Sequence, residues 1–270
     1  MQIIRNIFDL NKAIRKFDDF GFVPTMGGIH KGHISLIKNS QKKCKKTIVS
    51  IFVNPTQFNN KKDFVRYPRN LKNDIKILKN LNVNFIFIPN TKEIYKKKIS
   101  NFNLKSSDKV LCALHRKGHF EGVLNIMNRL LLIIRSKKIF MGEKDFQQIH
   151  LIKKYLSKQH KIKIFNCKTI RDKKGIALST RNNLLSESQY FILTKITSEL
   201  KNLKKKFILN KIKTNIDLSK KYKELELLYK VKFDYLELRN EINLSKKLSG
   251  NKCRLFAAFW IDSVRIIDNY

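Results

Sequence analysis

The alternation of apolar segments along the first 170 residues most restricts the fold of this 270-residue chain. A continuous β-branched run such as 47–53 is typical of a strand buried on both faces, and a longer segment such as 120–134 has helical periodicity. The predicted strands are 20–25, 47–53, 84–88, 138–141 and 161–167, and the predicted helices are 33–44, 69–81, 120–134 and 146–156. Strands separated by helices of this length favour the α/β class, as a Rossmann-like, doubly wound parallel sheet.

The pattern changes after about residue 170. Two polar-faced helices are predicted first, and closely spaced strands follow them; the helices are 186–207 and 218–230, and the strands are 233–238, 253–260 and 263–267. Helices followed by neighbouring strands favour a smaller α+β domain with an antiparallel sheet. We therefore expect two domains, 1–170 and 171–270.

Polar segments follow three of the predicted strands at residues 24–33, 54–58 and 142–145. In an open parallel sheet the ligand site lies beyond the carboxyl ends of the strands. Since all three segments come directly after a strand, the sequence predicts that they meet in one site.

The segment from Gly27 to His33 joins a predicted strand to a predicted helix. Glycines there let backbone N–H groups approach a phosphate, and a helix N-terminus adds partial positive charge. His30 and His33 can donate hydrogen bonds to phosphate oxygens, although two histidines three residues apart can also bind a metal or have no function. The P-loop pattern GxxxxGK[ST] is absent, which disfavours P-loop chemistry.

Charge suggests a different class of function. The chain has 58 Lys and Arg against 21 Asp and Glu, a formal net charge of +37, which is the kind of excess that binds nucleic acid. However, the excess is mostly Lys, dispersed over different segments, and recognisable RNA- or DNA-binding motifs are missing. Compositional drift towards residues of AT-rich codons, placed on solvated faces, is the favoured interpretation, so no nucleic-acid partner is expected.

Other features indicate the compartment. No apolar run reaches the roughly 18 residues of a membrane span, and the N-terminus lacks a signal-peptide pattern. Four dispersed cysteines, Cys44, Cys112, Cys167 and Cys253, read as reduced thiols rather than a disulfide framework. We expect a cytoplasmic protein with no membrane partner.

The HxGH sequence at 30–33 resembles the nucleotidylyltransferase superfamily, and further blocks narrow the resemblance. In order, the blocks are VPTMGGIHKGH at 23–33, VSIFVNPTQF at 49–58, RYPR at 66–69, GHFEGV at 118–123, GEKDFQQ at 142–148 and LSTRN at 178–182. Together they resemble the pantothenate synthetase (pantoate–β-alanine ligase) family. The resemblance implies ATP-dependent condensation of pantoate with β-alanine through an enzyme-bound pantoyl adenylate, with Mg²⁺ and a homodimer. The resemblance also implies that the predicted domain 1–170 is the catalytic domain that binds ATP and pantoate, and that the smaller domain 171–270 is a lid.

The resemblance also implies site residues. His33 stands at the position described as the family's proton donor, with His30, Lys144 and Arg181 as further catalytic groups. The implied ATP-binding residues are Met26, Gly27, Gly28, Ile29, His30, Lys31, Gly32, His33, Gly142, Glu143, Lys144, Asp145, Ile170, Leu178, Ser179, Thr180 and Arg181. Gln57 and Gln148 are implied for pantoate and Gln57 also for β-alanine, with Asn54 in support and Arg116 in a nearby basic loop.

No direct protein ligand to a metal is implied. Asp74 is a possible indirect Mg²⁺ contact, but a solvated helix carboxylate is the favoured interpretation. Lys31, Lys117 and Thr180 depart from the usual family residues without removing a proposed catalytic group. Another nucleotidylyltransferase, with a phosphorylated acceptor, is the remaining alternative; the two glutamines favour a substrate with a carboxylate and hydroxyls.

Overall fold

The computed structural model describes residues 1–97, 99–208, 215–247 and 252–270. The chain forms two compact units: one comprises Met1–Asp108 and Arg116–Thr169, and the other comprises Lys109–His115 and Ile170–Tyr270. The segment Lys109–His115 is therefore part of the second unit, although the sequence pattern places it within 1–170. That each unit is an independent domain stays a prediction.

The first unit contains a six-stranded parallel sheet in the order β1-β4-β3-β2-β5-β6. Its strands are β1 (Gln2–Ile4), β2 (Phe20–Thr25), β3 (Lys46–Ile51), β4 (Phe85–Phe87), β5 (Lys138–Gly142) and β6 (Lys163–Cys167). The chain adds β3 and β4 on one side of β2 and then β5 and β6 on the other. The predicted α/β class with a parallel sheet is confirmed.

The helices of this unit are α1 (Ile7–Ile14), α2 (Lys31–Lys43), α3 (Lys61–Arg66), α4 (Leu71–Asn80), α5 (Thr91–Tyr95), α7 (His119–Ile134) and α8 (Phe146–His160); the intervening α6 (Cys112–His115) belongs to the second unit. The predicted strand 20–25 is confirmed as β2, whereas β1, which precedes it in the chain and lies at the edge of the sheet, is not predicted from the sequence. A strand of three residues is too short to show an alternating pattern.

Apolar side chains of the central strands and of α2 form the core near the site. Val23 of β2 lies opposite Val49 of β3 in the sheet, and both are fully buried together with Ile37 of α2. Such burial of consecutive apolar residues explains why these strands lack polar alternation. The core fixes the strand ends from which the predicted polar loops begin.

The second unit has an antiparallel sheet in the order β7-β8-β9 and two long helices. Its elements are β7 (Lys232–Asn240), β8 (Cys253–Ile261), β9 (Val264–Asn269), α9 (Glu187–Ile208) and α10 (Asn215–Tyr229). Leu200 of α9, Leu225 of α10 and Phe259 of β8 are buried in its core. The predicted α+β character of this region is confirmed. Within the part of the chain that the structure describes, no helix has the length and apolarity needed to cross a membrane.

Candidate functional site

The sheet brings together the three polar segments predicted from the sequence. They follow β2, β3 and β5, which are adjacent strands at the centre of the sheet. All run parallel, so their carboxyl ends lie at one edge. Strand order reverses between β2 and β5, and this is the position where an open α/β sheet leaves a crevice for a ligand.

Hydrogen bonds of the Thr25 hydroxyl fix the start of the loop after β2. The Thr25 hydroxyl donates to the Ser50 carbonyl at 2.7 Å and accepts from the Gly27 N–H at 3.2 Å. Gly27 and Gly28 have φ values of 84° and 63°, in the left-handed region that favours glycine. This explains why the sequence has two glycines here and shows that the loop has one defined backbone path.

Asp74 of α4 supports the same loop. Its carboxylate accepts the Gly28 N–H at 2.9 Å and the Ile29 N–H at 2.7 Å, one on each oxygen. Asp74 is only 2% exposed, so the expectation of a solvated helix carboxylate is wrong. The available sequence signal was its position, three residues after Leu71 and four before Leu78, on the apolar face of the helix.

His30 and His33 form a reciprocal cap at the N-terminus of α2. The Nδ1 atom of His30 accepts the Gly32 N–H at 3.0 Å, and the Nδ1 atom of His33 accepts the His30 N–H at 3.4 Å. A ring nitrogen that accepts carries no proton, so each neutral imidazole has its proton on Nε2. The ring centroids are 4.1 Å apart, and the pair thus offers two neighbouring Nε2–H donors.

The electrostatics keep both rings neutral. Burial, and next the charge of Lys144, lowers the pKa of His30 to about 4, while Asp145 opposes this shift. Burial, then His30 and Lys144, lowers the pKa of His33 to about 3. Neutral rings are also what the two Nδ1 hydrogen bonds require. In the absence of substrate, the His33 imidazole is therefore neutral at neutral pH and is not a protonated general acid.

Lys144 follows β5 in a 3-10 turn at Glu143–Asp145. Its Nζ atom lies 3.5 Å from an Asp145 carboxylate oxygen. Its charge contributes to the lowered pKa of both histidines. A loop rich in N–H donors together with a cation is suited to a polyanion.

Gln57 lies next to the loop after β2. Its Nε2 group donates to the Met26 sulfur at 2.9 Å, and its Oε1 atom accepts from Asn54 at 3.3 Å. Asn54 is 1% exposed and also donates to the Gly122 carbonyl at 3.2 Å. A Cβ on Gly122 would lie 2.4 Å from the Thr56 carbonyl oxygen, so the glycine permits α7 to pack against this turn.

Contacts from Tyr95, His119 and Arg116 fix the same turn, and of these residues only Arg116 is expected near the site from the sequence. The Tyr95 hydroxyl donates to the Asn54 Oδ1 atom at 2.7 Å. His119 Nδ1 contacts the Gln57 carbonyl at 2.7 Å, and Arg116 contacts His119 Nε2 at 2.8 Å. Arg116 also donates to the Gln57 carbonyl at 3.4 Å. No local pattern in the sequence pairs these residues with the turn, although His119 lies in the GHFEGV block that resembles the family.

The remaining predicted residues fall in two places. Gln148 is half-buried in the first turn of α8, one helical turn after Lys144. Ile170 and Leu178–Arg181 belong to the second unit. There the Ser179 Oγ atom accepts the Arg181 N–H at 3.3 Å and begins a 3-10 turn at Thr180–Leu184, while Thr180 is 6% exposed.

A glycine-rich loop with an HxGH histidine pair, at the switch point of a parallel sheet, is typical of a nucleotide-binding α/β protein. Comparison with known proteins specifies the family. Residues 2–270 match the family model described as pantoate-beta-alanine ligase. The chain belongs to the pantoate–β-alanine ligase family, the enzymes that form pantothenate in an ATP-dependent ligation.

Individual relatives agree with this assignment over most or all of their length. The pantothenate synthetase of Campylobacter hominis is 39% identical over 274 residues, covering 100% of this chain and 99% of that protein. That of Leptospira interrogans is 40% identical over 255 residues, covering 92% and 89%.

Solved structures agree as well. The pantoate-beta-alanine ligase of Francisella tularensis, complexed with beta-gamma ATP and β-alanine, is 36% identical with a TM-score of 0.83 and covers 100% of this chain and 97% of its own. The pantothenate synthetase of Thermus thermophilus is 27% identical with a TM-score of 0.91, covering 100% and 99%.

Proposed function

We propose that the site at the ends of β2, β3 and β5 makes pantothenate in two steps. In the first, a carboxylate oxygen of pantoate attacks the α-phosphorus of ATP, the bond to the β-phosphate breaks, and pyrophosphate leaves. In the second, the neutral amine of β-alanine attacks the carbonyl carbon of the pantoyl adenylate. AMP leaves with the bridging oxygen, and the amine loses a proton as the amide forms.

The observation that carries the proposal is the reciprocal cap at His30 and His33. It directs both ring protons to Nε2, so the pair can donate to a phosphate whose negative charge grows during attack. Lys144 would add a positive charge to the same phosphates. We assign His33 a hydrogen-bonding role rather than proton transfer, because burial lowers its pKa to about 3.

The other roles follow the chemistry of each side chain. Gln57 and Gln148 would bind pantoate, since an amide both donates to a carboxylate and accepts from hydroxyls, and Gln57 would also contact β-alanine. The ATP-binding set comprises residues 26–33 and 142–145 of the first unit with Ile170 and Leu178–Arg181 of the second. Among these, Thr180 is largely buried, at 6% exposed.

Mg²⁺ would enter as the complex with ATP. In the described part of the chain, no cluster of three or more His, Cys, Asp or Glu side chains is arranged to hold a metal ion. Both oxygens of Asp74 accept backbone N–H groups, which fits a structural role better than direct ligation. We further propose a cytoplasmic homodimer that uses ATP, pantoate and β-alanine and has no nucleic-acid or membrane partner; its four cysteines are buried free thiols.

The proposal is tested by pantoate-dependent exchange of labelled pyrophosphate into ATP, with Mg²⁺ and without β-alanine. We expect exchange by the wild-type protein and a loss of about 100-fold or more in His33→Ala, the order found for removing one charge-stabilising donor. His160→Ala is the matched control, because that ring contacts Asn128 at 2.6 Å, away from the proposed loop. Absence of exchange in the wild type, or equal rates in both variants, would contradict the proposal.

A further inference from the structure

The segment 170–178 of the second unit is a small antiparallel hairpin. The Leu178 N–H donates to the Ile170 carbonyl at 3.0 Å, and Arg171 pairs with Ala177. Ser179 follows the hairpin directly. Since its hydrogen bonds fix the two arms relative to each other, the backbone at Ile170 and the turn that begins at Ser179 are held at a fixed separation.

The Arg171 side chain fastens this hairpin to the antiparallel sheet. Its two terminal nitrogens donate to the two oxygens of Asp268 at 2.7 and 2.9 Å. One nitrogen also donates to the Gly175 carbonyl at 3.0 Å, within the hairpin turn, and the other to the Asn269 carbonyl at 3.0 Å. The guanidinium carbon lies 4.4 Å from the centroid of the Tyr270 ring.

Asp268 is oriented to receive this arginine. It belongs to β9 and is 6% exposed. Its oxygens also accept the Asn269 N–H at 2.7 Å and the Tyr270 hydroxyl at 2.8 Å. A planar guanidinium matches such a fixed carboxylate with two parallel hydrogen bonds, and a lysine ammonium cannot reproduce that geometry.

We propose that Arg171 and Asp268 are positioning residues for ATP. This proposal rests on the proposed function. The ion pair holds the hairpin in position, and the two ends of the hairpin carry Ile170 and the turn from Ser179 to Arg181. Neither residue is proposed to contact a reacting atom. Weakening the Arg171–Asp268 ion pair should lower the affinity for ATP and leave the affinity for pantoate unchanged. The residues proposed to bind pantoate, Gln57 and Gln148, belong to the other unit.

The test measures the KM for ATP and for pantoate in the exchange reaction, together with ATP affinity by calorimetry. Arg171→Lys keeps the charge, and Asp268→Asn keeps one acceptor. The matched control is Arg254→Lys, because Arg254 is an arginine of the same sheet that donates to Glu241 at 3.0 Å and to the Asn269 side chain at 2.7 Å.

We expect the KM for ATP to rise by about tenfold or more in Arg171→Lys and Asp268→Asn, with the KM for pantoate within about twofold of the control. Equal shifts for ATP and pantoate, or a shift no larger than in Arg254→Lys, would overturn the proposal. If Asp268→Asn does not fold, the KM values of Arg171→Lys alone decide whether the proposal holds. If the wild type shows no exchange, the proposed function fails, and the calorimetric comparison still tests the positioning role.

Discussion

His30 and His33 each use one ring nitrogen to hold the backbone, which leaves the other nitrogen as a donor. This division of work depends on neutral rings. Burial lowers the pKa of the two residues to about 4 and about 3. A protonated Nδ1 would lose its acceptor role and break the cap, so the ionisation of these residues is coupled to the conformation of the loop.

This coupling predicts how the protein responds to acid. Histidines of the unfolded chain take up protons near pH 6.5, whereas these two remain neutral in the folded protein. Their contribution to stability is therefore complete above about pH 6.5 and is lost as the pH falls towards 4 for His30 and towards 3 for His33. NMR titration of histidine-labelled protein, assigned with His33→Gln, should show no His33 midpoint between pH 8 and 5. A midpoint near 6.5 would contradict the assigned tautomer and role.

At the scale of elements, α4 holds the loop after β2 through one carboxylate. In Asp74→Asn, the new amide group would face a backbone N–H and leave it without an acceptor. We expect a loss of about 1–3 kcal/mol in the free energy of unfolding and a higher KM for ATP. Thermal unfolding and exchange kinetics measure these effects, with the exposed Asp18→Asn as control. Equal behaviour of the two variants would refute the anchoring role.

Elements also show what the sequence could predict. Residues 20–25 and 47–53 were recognised as strands because a buried parallel strand is apolar at consecutive positions. The loop from Gly27 to His33 was recognised because it combines glycines with histidines at a strand end. The place of Asp74 on the apolar face of its helix indicates burial, but its partners are backbone groups 45 and 46 residues away, which no local pattern records.

The same limit applies to the units. The segment Lys109–His115 belongs to the second unit, where the Cys112 sulfur lies 3.0 Å from the Tyr235 hydroxyl, 123 residues along the chain. Its apolar residues are consistent with burial in either unit, so composition could not assign it. Periodicity therefore predicts the helices and strands, whereas long-range packing determines to which unit a short segment belongs.

At the scale of the whole molecule, the formal charge of +37 is the feature that the site does not explain. The proposed chemistry uses few cations, chiefly Lys144 and Arg181. We expect no tight nucleic-acid binding: Kd values for labelled RNA and DNA duplexes should stay above about 1 μM at 0.15 M salt, in the range of non-specific contacts. Fluorescence anisotropy across a salt series measures this. A tighter complex that weakens steeply with salt would assign the charge a function.

The central claim is that pantoate is activated by attack of its carboxylate on the α-phosphate of ATP. Pantoate labelled with ¹⁸O in its carboxylate tests this directly when the reaction runs to completion with β-alanine. We expect one ¹⁸O atom in the phosphate of each AMP released, detected by mass spectrometry, because the bridging oxygen leaves with AMP. Unlabelled AMP, or label in phosphate or pyrophosphate, would contradict it.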